Sequence, residues 1–231
     1  MGSNGLPAPR AYRSSRRDAQ ALRTRQRIVD AATGVFLERG FAGTTMRRVA
    51  SRAGVSVPTV ELLFGTKGRL LKAAIDIAIA GDDEPVPVLD RHWTGAARSA
   101  ETAHEFLAIA ASVVGPAQQR SAGLVLAAFE ASSHDPELSA LADQMTTQRS
   151  TTAEWIIDQL TRKTPLRKGC RRRDAIDTVW ILMDPAVFDR LTRHRGWTVE
   201  QYQHWFADSV GRLLIGEPVT NTTTTHRRRT T

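Results

Sequence analysis

Fourteen Lys and Arg side chains fall within residues 1–72 against only four acids, Asp18, Asp30, Glu38 and Glu61, a local net charge of +10. The remaining residues carry 18 basic and 20 acidic side chains, so the overall +8 belongs to the first third of the chain. Guanidinium and ammonium groups in such excess attract a polyanion, either nucleic acid or an anionic membrane surface. Catalytic chemistry finds no comparable footing. There is no Gly-rich phosphate loop, no G-x-S-x-G and no metal-spaced His pair. His92 stands near Asp82, Asp83, Glu84 and Asp90 in a loose acidic stretch. Cys170, in RKGCRRR, has arginines that favour its thiolate but no second cysteine to resolve an oxidised sulfur. A single cysteine also excludes an intrachain disulfide and a cysteine-based zinc site. No enzyme activity, metal or cofactor is expected.

The elements that must position these groups are helical. With 231 residues, 41% apolar and 24% charged, the composition is that of a folded globular protein. No run of about 18 apolar residues is present and the start lacks the apolar core of a signal peptide, which predicts a cytoplasmic protein without a membrane partner. Alternation long enough for a sheet is missing, and Pro and Gly fall where helices end. A first helix over 24–39 buries Ile28, Ala32, Val35 and Phe36 and stops at Gly40. Thr44 or Thr45 caps a short helix ended by Gly54, Ser56 caps a third over 57–63 with Pro58 in its first turn, and Thr66 caps a fourth.

Two short helices joined by a Gly-containing turn, in a basic region, match a helix-turn-helix whose second helix lies in the major groove of DNA. On that second helix Val60, Leu63 and Phe64 face the small core, and Pro58, Thr59, Glu61 and Leu62 point outward. Beyond a Pro-rich acidic boundary the helices continue, over 98–114, 117–132, 136–162, 173–183, 185–194 and 198–215. Asp135-Pro136 and Asp184-Pro185 mark helix starts. Thr198 with Gln201 forms a capping-box pattern, and Trp197 with Tyr202 has hydrophobic-staple spacing. The expected division is a disordered basic arm 1–22, a helix-turn-helix domain 23–80, a linker 81–97, a helical domain 98–216 and a disordered Thr-rich tail 217–231.

At RIVDAATGVFLERGFAGTT, MRRVASRAGVS and the Phe-x-x-Lys of Phe64 and Lys67, residues 25–72 resemble the TetR family of transcriptional regulators. The resemblance implies an all-α fold, with an N-terminal three-helix helix-turn-helix DNA-binding domain and a C-terminal helical-bundle domain for ligand binding and dimerisation. It implies a homodimer on a palindromic double-stranded DNA operator, usually a repressor released by a small-molecule effector. Thr45, Arg47 and Arg48 then stand where the second helix meets phosphate. Lys67 matches a phosphate-contacting lysine, and Ser56, Val57, Pro58, Thr59, Glu61 and Leu62 match the recognition helix. The family's Thr-aliphatic-Tyr-x-aromatic-Phe reads here Thr59, Val60, Glu61, Leu62, Leu63, Phe64, so both aromatic phosphate contacts are replaced. Glu61 can accept from cytosine N4 or pair with a neighbouring base.

In the second domain Phe106, Phe129, Met145, Trp155 and Trp180 are candidates to line an apolar or aromatic effector pocket, with plain core as the competing role. Trp205, Val210, Leu213 and Leu214 give the last helix an apolar face suited to a dimer seam or to an internal core. Two other readings remain open: a helical-bundle enzyme or small-molecule carrier, and a family member whose DNA binding is weakened at Glu61 and Leu63.

Overall fold

The computed structural model describes residues 10–84 and 86–215, with side chains from residue 19 onward. Every regular element among them is helical: α1 (Arg10–Gly43), α2 (Met46–Ala53), α3 (Val57–Phe64), α4 (Lys67–Ala80), α5 (Trp93–Ser99), α6 (Ala103–Ala131), α7 (Pro136–Thr161), α8 (Arg172–Leu182), α9 (Pro185–Asp189) and α10 (Val199–Val210). Wider helical turns extend α9 over Arg190–His194 and α10 over Gly211–Ile215. No described helix is long and apolar enough to cross a membrane.

Three helix bounds differ from those expected. The chain is already helical at Arg10, so 10–22 continues α1, while 1–9 and the tail from 216 lie outside the described residues. After Pro9 this stretch holds no Pro or Gly and is rich in Ala and Arg, so an existing helix propagates backward at little cost. The separate helices 98–114 and 117–132 are one, α6, running through Pro116. A proline there removes a single ladder bond, and buried side chains on both sides, Ala110, Ala111 and Leu124 among them, hold the helix together across it. Residues 93–99 form a helix of their own, after which Thr102 caps α6 by accepting from Glu105 N at 3.1 Å.

The chain packs as two compact units that interleave along the sequence. The first takes residues 1–88 and 117–148, and the second takes 89–116 and 149–231, so α6 and α7 each give one end to each unit. This differs from a linear split at 81–97, because α6 and α7 are single rods long enough to serve two cores. In the first unit Ile28, Val35 and Phe36 of α1, Val49 of α2, Val60 and Phe64 of α3 and Leu70, Leu71 and Ile75 of α4 bury against Leu124, Leu138 and Met145. In the second, Phe106, Ile156, Ile157, Leu160, Val179, Phe206, Val210 and Leu214 form the core. Tyr202 is fully buried and donates its hydroxyl to Leu182 O at 2.8 Å, so the largest buried side chain leaves no polar atom unpaired.

Candidate nucleic-acid interface

The first unit positions α3 through its ends. Gly40 sits at φ 64 and breaks α1 where a side chain would be strained. The freed carbonyls there are taken up locally: buried Thr44 donates its hydroxyl to Gly40 O at 2.7 Å, and Lys67 Nζ donates to Phe41 O at 2.9 Å and Thr44 O at 3.1 Å. Thr45, not Thr44, caps α2, accepting from Arg48 N at 3.2 Å. Gly54 closes α2 in the left-handed region, Val55 turns inward against the core, and Arg27 donates to the carbonyls of Ala53 and Gly54. Ser56 then caps α3 by accepting from Thr59 N at 3.3 Å, with its hydroxyl 2.7 Å from that of Thr59. Arg27 is a site-building residue that the sequence alone does not single out, because its partners are carbonyls 26 and 27 residues away.

The predicted contact residues fall into two groups. Arg47, Arg48, Ser56, Pro58, Glu61 and Leu62 are exposed, as is Thr45. Pro58, Glu61 and Leu62 stand at helical spacing on one outward face of α3. Val57 and Thr59 are half-buried, and Val57 packs on the core. Leu63 departs from its expected core position and is exposed, because Val60 and Phe64 alone fill the inner face of so short a helix. Arg48 Nη1 is tied back to Gly43 O at 2.6 Å, whereas Glu61 makes no ion pair among the described residues. Lys67 spends two of its three N–H donors on carbonyls and lies 3.9 Å from the Phe41 ring centroid; partial burial lowers its ammonium pKa.

Behind α3, Thr66 caps α4, accepting from Arg69 N at 3.1 Å, and donates its hydroxyl to the Glu137 carboxylate at 2.8 Å. At the other end of α4, Arg120 Nε donates to Ala78 O at 2.8 Å. Both ends of α4 are therefore held by side chains of α6 and α7 within the same unit.

The five candidate pocket residues divide between the units. Phe129 and Met145 pack in the first core. In the second, Phe106 is buried 6.1 Å from the Trp155 ring, which meets Trp93 edge-on at 5.0 Å. Trp180 lies under the Arg149 guanidinium at 4.0 Å, and Arg149 pairs with Asp184 at 2.9 Å. Arg149 Nε and Trp180 Nε1 are buried donors without an acceptor among the described residues. Of the four candidate seam residues, Val210 and Leu214 are buried in the second unit's own core, Trp205 is half-buried and Leu213 is 46% exposed. The apolar face of α10 is thus largely consumed internally. Trp197 meets Trp205 edge-on at 6.0 Å. No described cluster of three or more His, Cys, Asp or Glu could hold a metal.

A basic, capped two-helix module carried on a third and fourth helix is the architecture of a helix-turn-helix domain. Residues 28–74 match the model of bacterial regulatory proteins of the tetR family, so this stretch is similar to the DNA-binding domain of that family. Over 57 residues the chain is 40% identical to the HTH-type transcriptional regulator SrpR of Pseudomonas putida and likewise to TtgW of the same species, covering 25% of this chain and 27% and 42% of theirs. The chain thus spans about a quarter of the first of these relatives and less than half of the second. The fold is similar to that of FadR from Bacillus subtilis, solved with stearoyl-CoA, at TM-score 0.63 and 17% identity over 84% of this chain and 99% of that one. It is also similar to NalD of Pseudomonas aeruginosa, the secondary repressor of the MexAB-OprM efflux pump, at TM-score 0.61 and 18% identity, covering 84% and 98%.

Proposed function

We propose that the chain is a transcriptional regulator that binds a two-fold operator in double-stranded DNA as a homodimer and acts as a repressor released by a small apolar or aromatic effector. The observation that carries this reading is α3: a helix capped at Ser56, anchored by Val60 and Phe64, and presenting Pro58, Glu61 and Leu62 outward beside exposed Arg47. Its N-terminal half enters the major groove while Thr45, Arg47, Arg48 and the remaining donor of Lys67 meet phosphates. Glu61, unpaired among the described residues, accepts from cytosine N4.

Dimerisation uses α8 and α10, with Ile181 at 51% exposure and Leu213 at 46% as the apolar side chains still available there, and Trp205 beside them. The effector site is assigned to the second unit's aromatic residues, Phe106, Trp155 and Trp180. Two buried donors with no acceptor among the described residues, on Arg149 and Trp180, favour an effector that pairs an apolar body with one hydrogen-bond acceptor. That FadR binds stearoyl-CoA supports a ligand of this kind. Selection of genomic fragments by the purified protein is expected to return a two-fold sequence, and a screen of small molecules against that complex is expected to find one that releases it. Failure to enrich any sequence, by a protein that is folded, overturns the reading.

A further inference from the structure

Leu62 is 86% exposed, the most exposed large apolar side chain among the described residues, on the same face of α3 as Pro58 and Glu61. Of the other apolar groups on that helix, Val60 is fully buried, Phe64 is 6% exposed, Val57 rests on the core, and Leu63 is 37% exposed, less than half as much as Leu62. The core therefore has no use for Leu62. An exposed leucine would be unremarkable elsewhere, but this one projects from the outward face of a capped helix in the most basic part of the chain, at the position where a groove floor would be met. In the major groove the C5-methyl of thymine is the one methyl group displayed, and the other groups that distinguish the bases are donors and acceptors.

We infer that Leu62 is a specificity-determining residue that packs on a thymine methyl in each operator half-site. The inference rests on the proposed DNA binding and adds a base identity to it. Glu61, one residue earlier, cannot make this contact, because an exposed carboxylate next to a methyl loses hydration without gaining a partner. The two side chains consequently demand different bases, an amino-bearing cytosine for Glu61 and a methyl-bearing thymine for Leu62.

The test takes the duplex recovered by genomic selection and replaces each thymine in turn with deoxyuracil, which removes the methyl and leaves the pairing edge intact. Affinity is measured for the full chain and for Leu62→Ala, a change at a site too exposed to disturb folding. One buried methyl corresponds to about fourfold in affinity, and to about fifteenfold when both half-sites are altered together. The expected result is one thymine position per half-site whose loss of methyl weakens the full chain by about that factor and leaves Leu62→Ala unaffected. A half-site without any methyl-sensitive thymine, or sensitivity that persists in Leu62→Ala, overturns the inference while DNA binding stands. Recovery of no duplex at all overturns the DNA-binding reading itself, and this inference with it.

Discussion

Lys67 separates two accounts of one residue. If it serves only to touch phosphate, Lys67→Met weakens DNA binding and leaves folding alone. The structure gives it a second duty. Its ammonium donates to Phe41 O and Thr44 O at the end of α1 and lies 3.9 Å from the Phe41 ring centroid. Phe41 O retains a second donor, Thr44 N at 3.2 Å, so the substitution strands chiefly Thr44 O. Hydrogen bonds from a charged donor contribute about 1.5–3 kcal/mol, and a part-exposed cation over an aromatic ring about 0.5–1. Relief of the ammonium's desolvation and solvent screening offset much of that sum, leaving a net loss of roughly 1–2 kcal/mol. Methionine keeps the stem's packing, so the loss isolates the charged head. Urea unfolding followed by far-ultraviolet circular dichroism should show it, together with faster amide exchange in α2 and α3. The pH dependence has a defined sign. Burial lowers the Lys67 pKa below 10.5, so the unfolded chain holds its proton to higher pH than the folded one. The wild type therefore gains stability relative to Lys67→Met as pH rises towards 10.5. Unchanged unfolding and exchange, with only a reduced salt dependence of DNA binding, would refute the positioning role.

Other parts of the chain yield equally direct expectations. Thr198→Ala removes the capping box of α10, where Thr198 accepts from Gln201 N at 3.2 Å, and should lower the stability of the second unit by about 1 kcal/mol, read from tryptophan fluorescence on denaturant titration. That probe is local, since all five tryptophans belong to the second unit. Tyr202→Phe deletes the hydroxyl's bond to Leu182 O and should cost about 1 kcal/mol near neutrality. Burial raises the Tyr202 phenol pKa above its ordinary 10, so its contribution is complete below pH 10 and declines at higher pH; alkaline melting curves of wild type and variant should converge. Phe36→Ala, at a 1% exposed site in the first unit, should cost about 3–5 kcal/mol by circular dichroism.

Much of the first unit is legible in the sequence because its signals are local. Ser56 and Thr66 cap the helices that follow them, as Thr198 does in the second unit, and Gly40, Gly54 and Gly81 all take positive φ at helix ends. Each of these acts over three or four residues. What escapes is set by distant packing. The continuity of α6 through Pro116 depends on side chains several turns away. Met145 and Phe129 join the first core and Val210 and Leu214 the second, because a periodic apolar stripe states that a face is buried without stating against what. Leu63 is half of an apolar pair that the short inner face of α3 has no room to bury. The Arg27 clamp and the Glu137 contact to Thr66 join residues 26 and 71 positions apart, beyond any motif.

The central claim is that α3 and the arginines around it seat on duplex DNA. The most direct measurement is the slope of log affinity against log salt for the selected operator, with the full chain and with Arg47→Ala. Each phosphate neutralised contributes a slope of about −0.9, so the full chain should show a steep negative slope, shallower by about one for each Arg47 removed from the complex. A flat salt dependence, or an identical slope for Arg47→Ala, would contradict it.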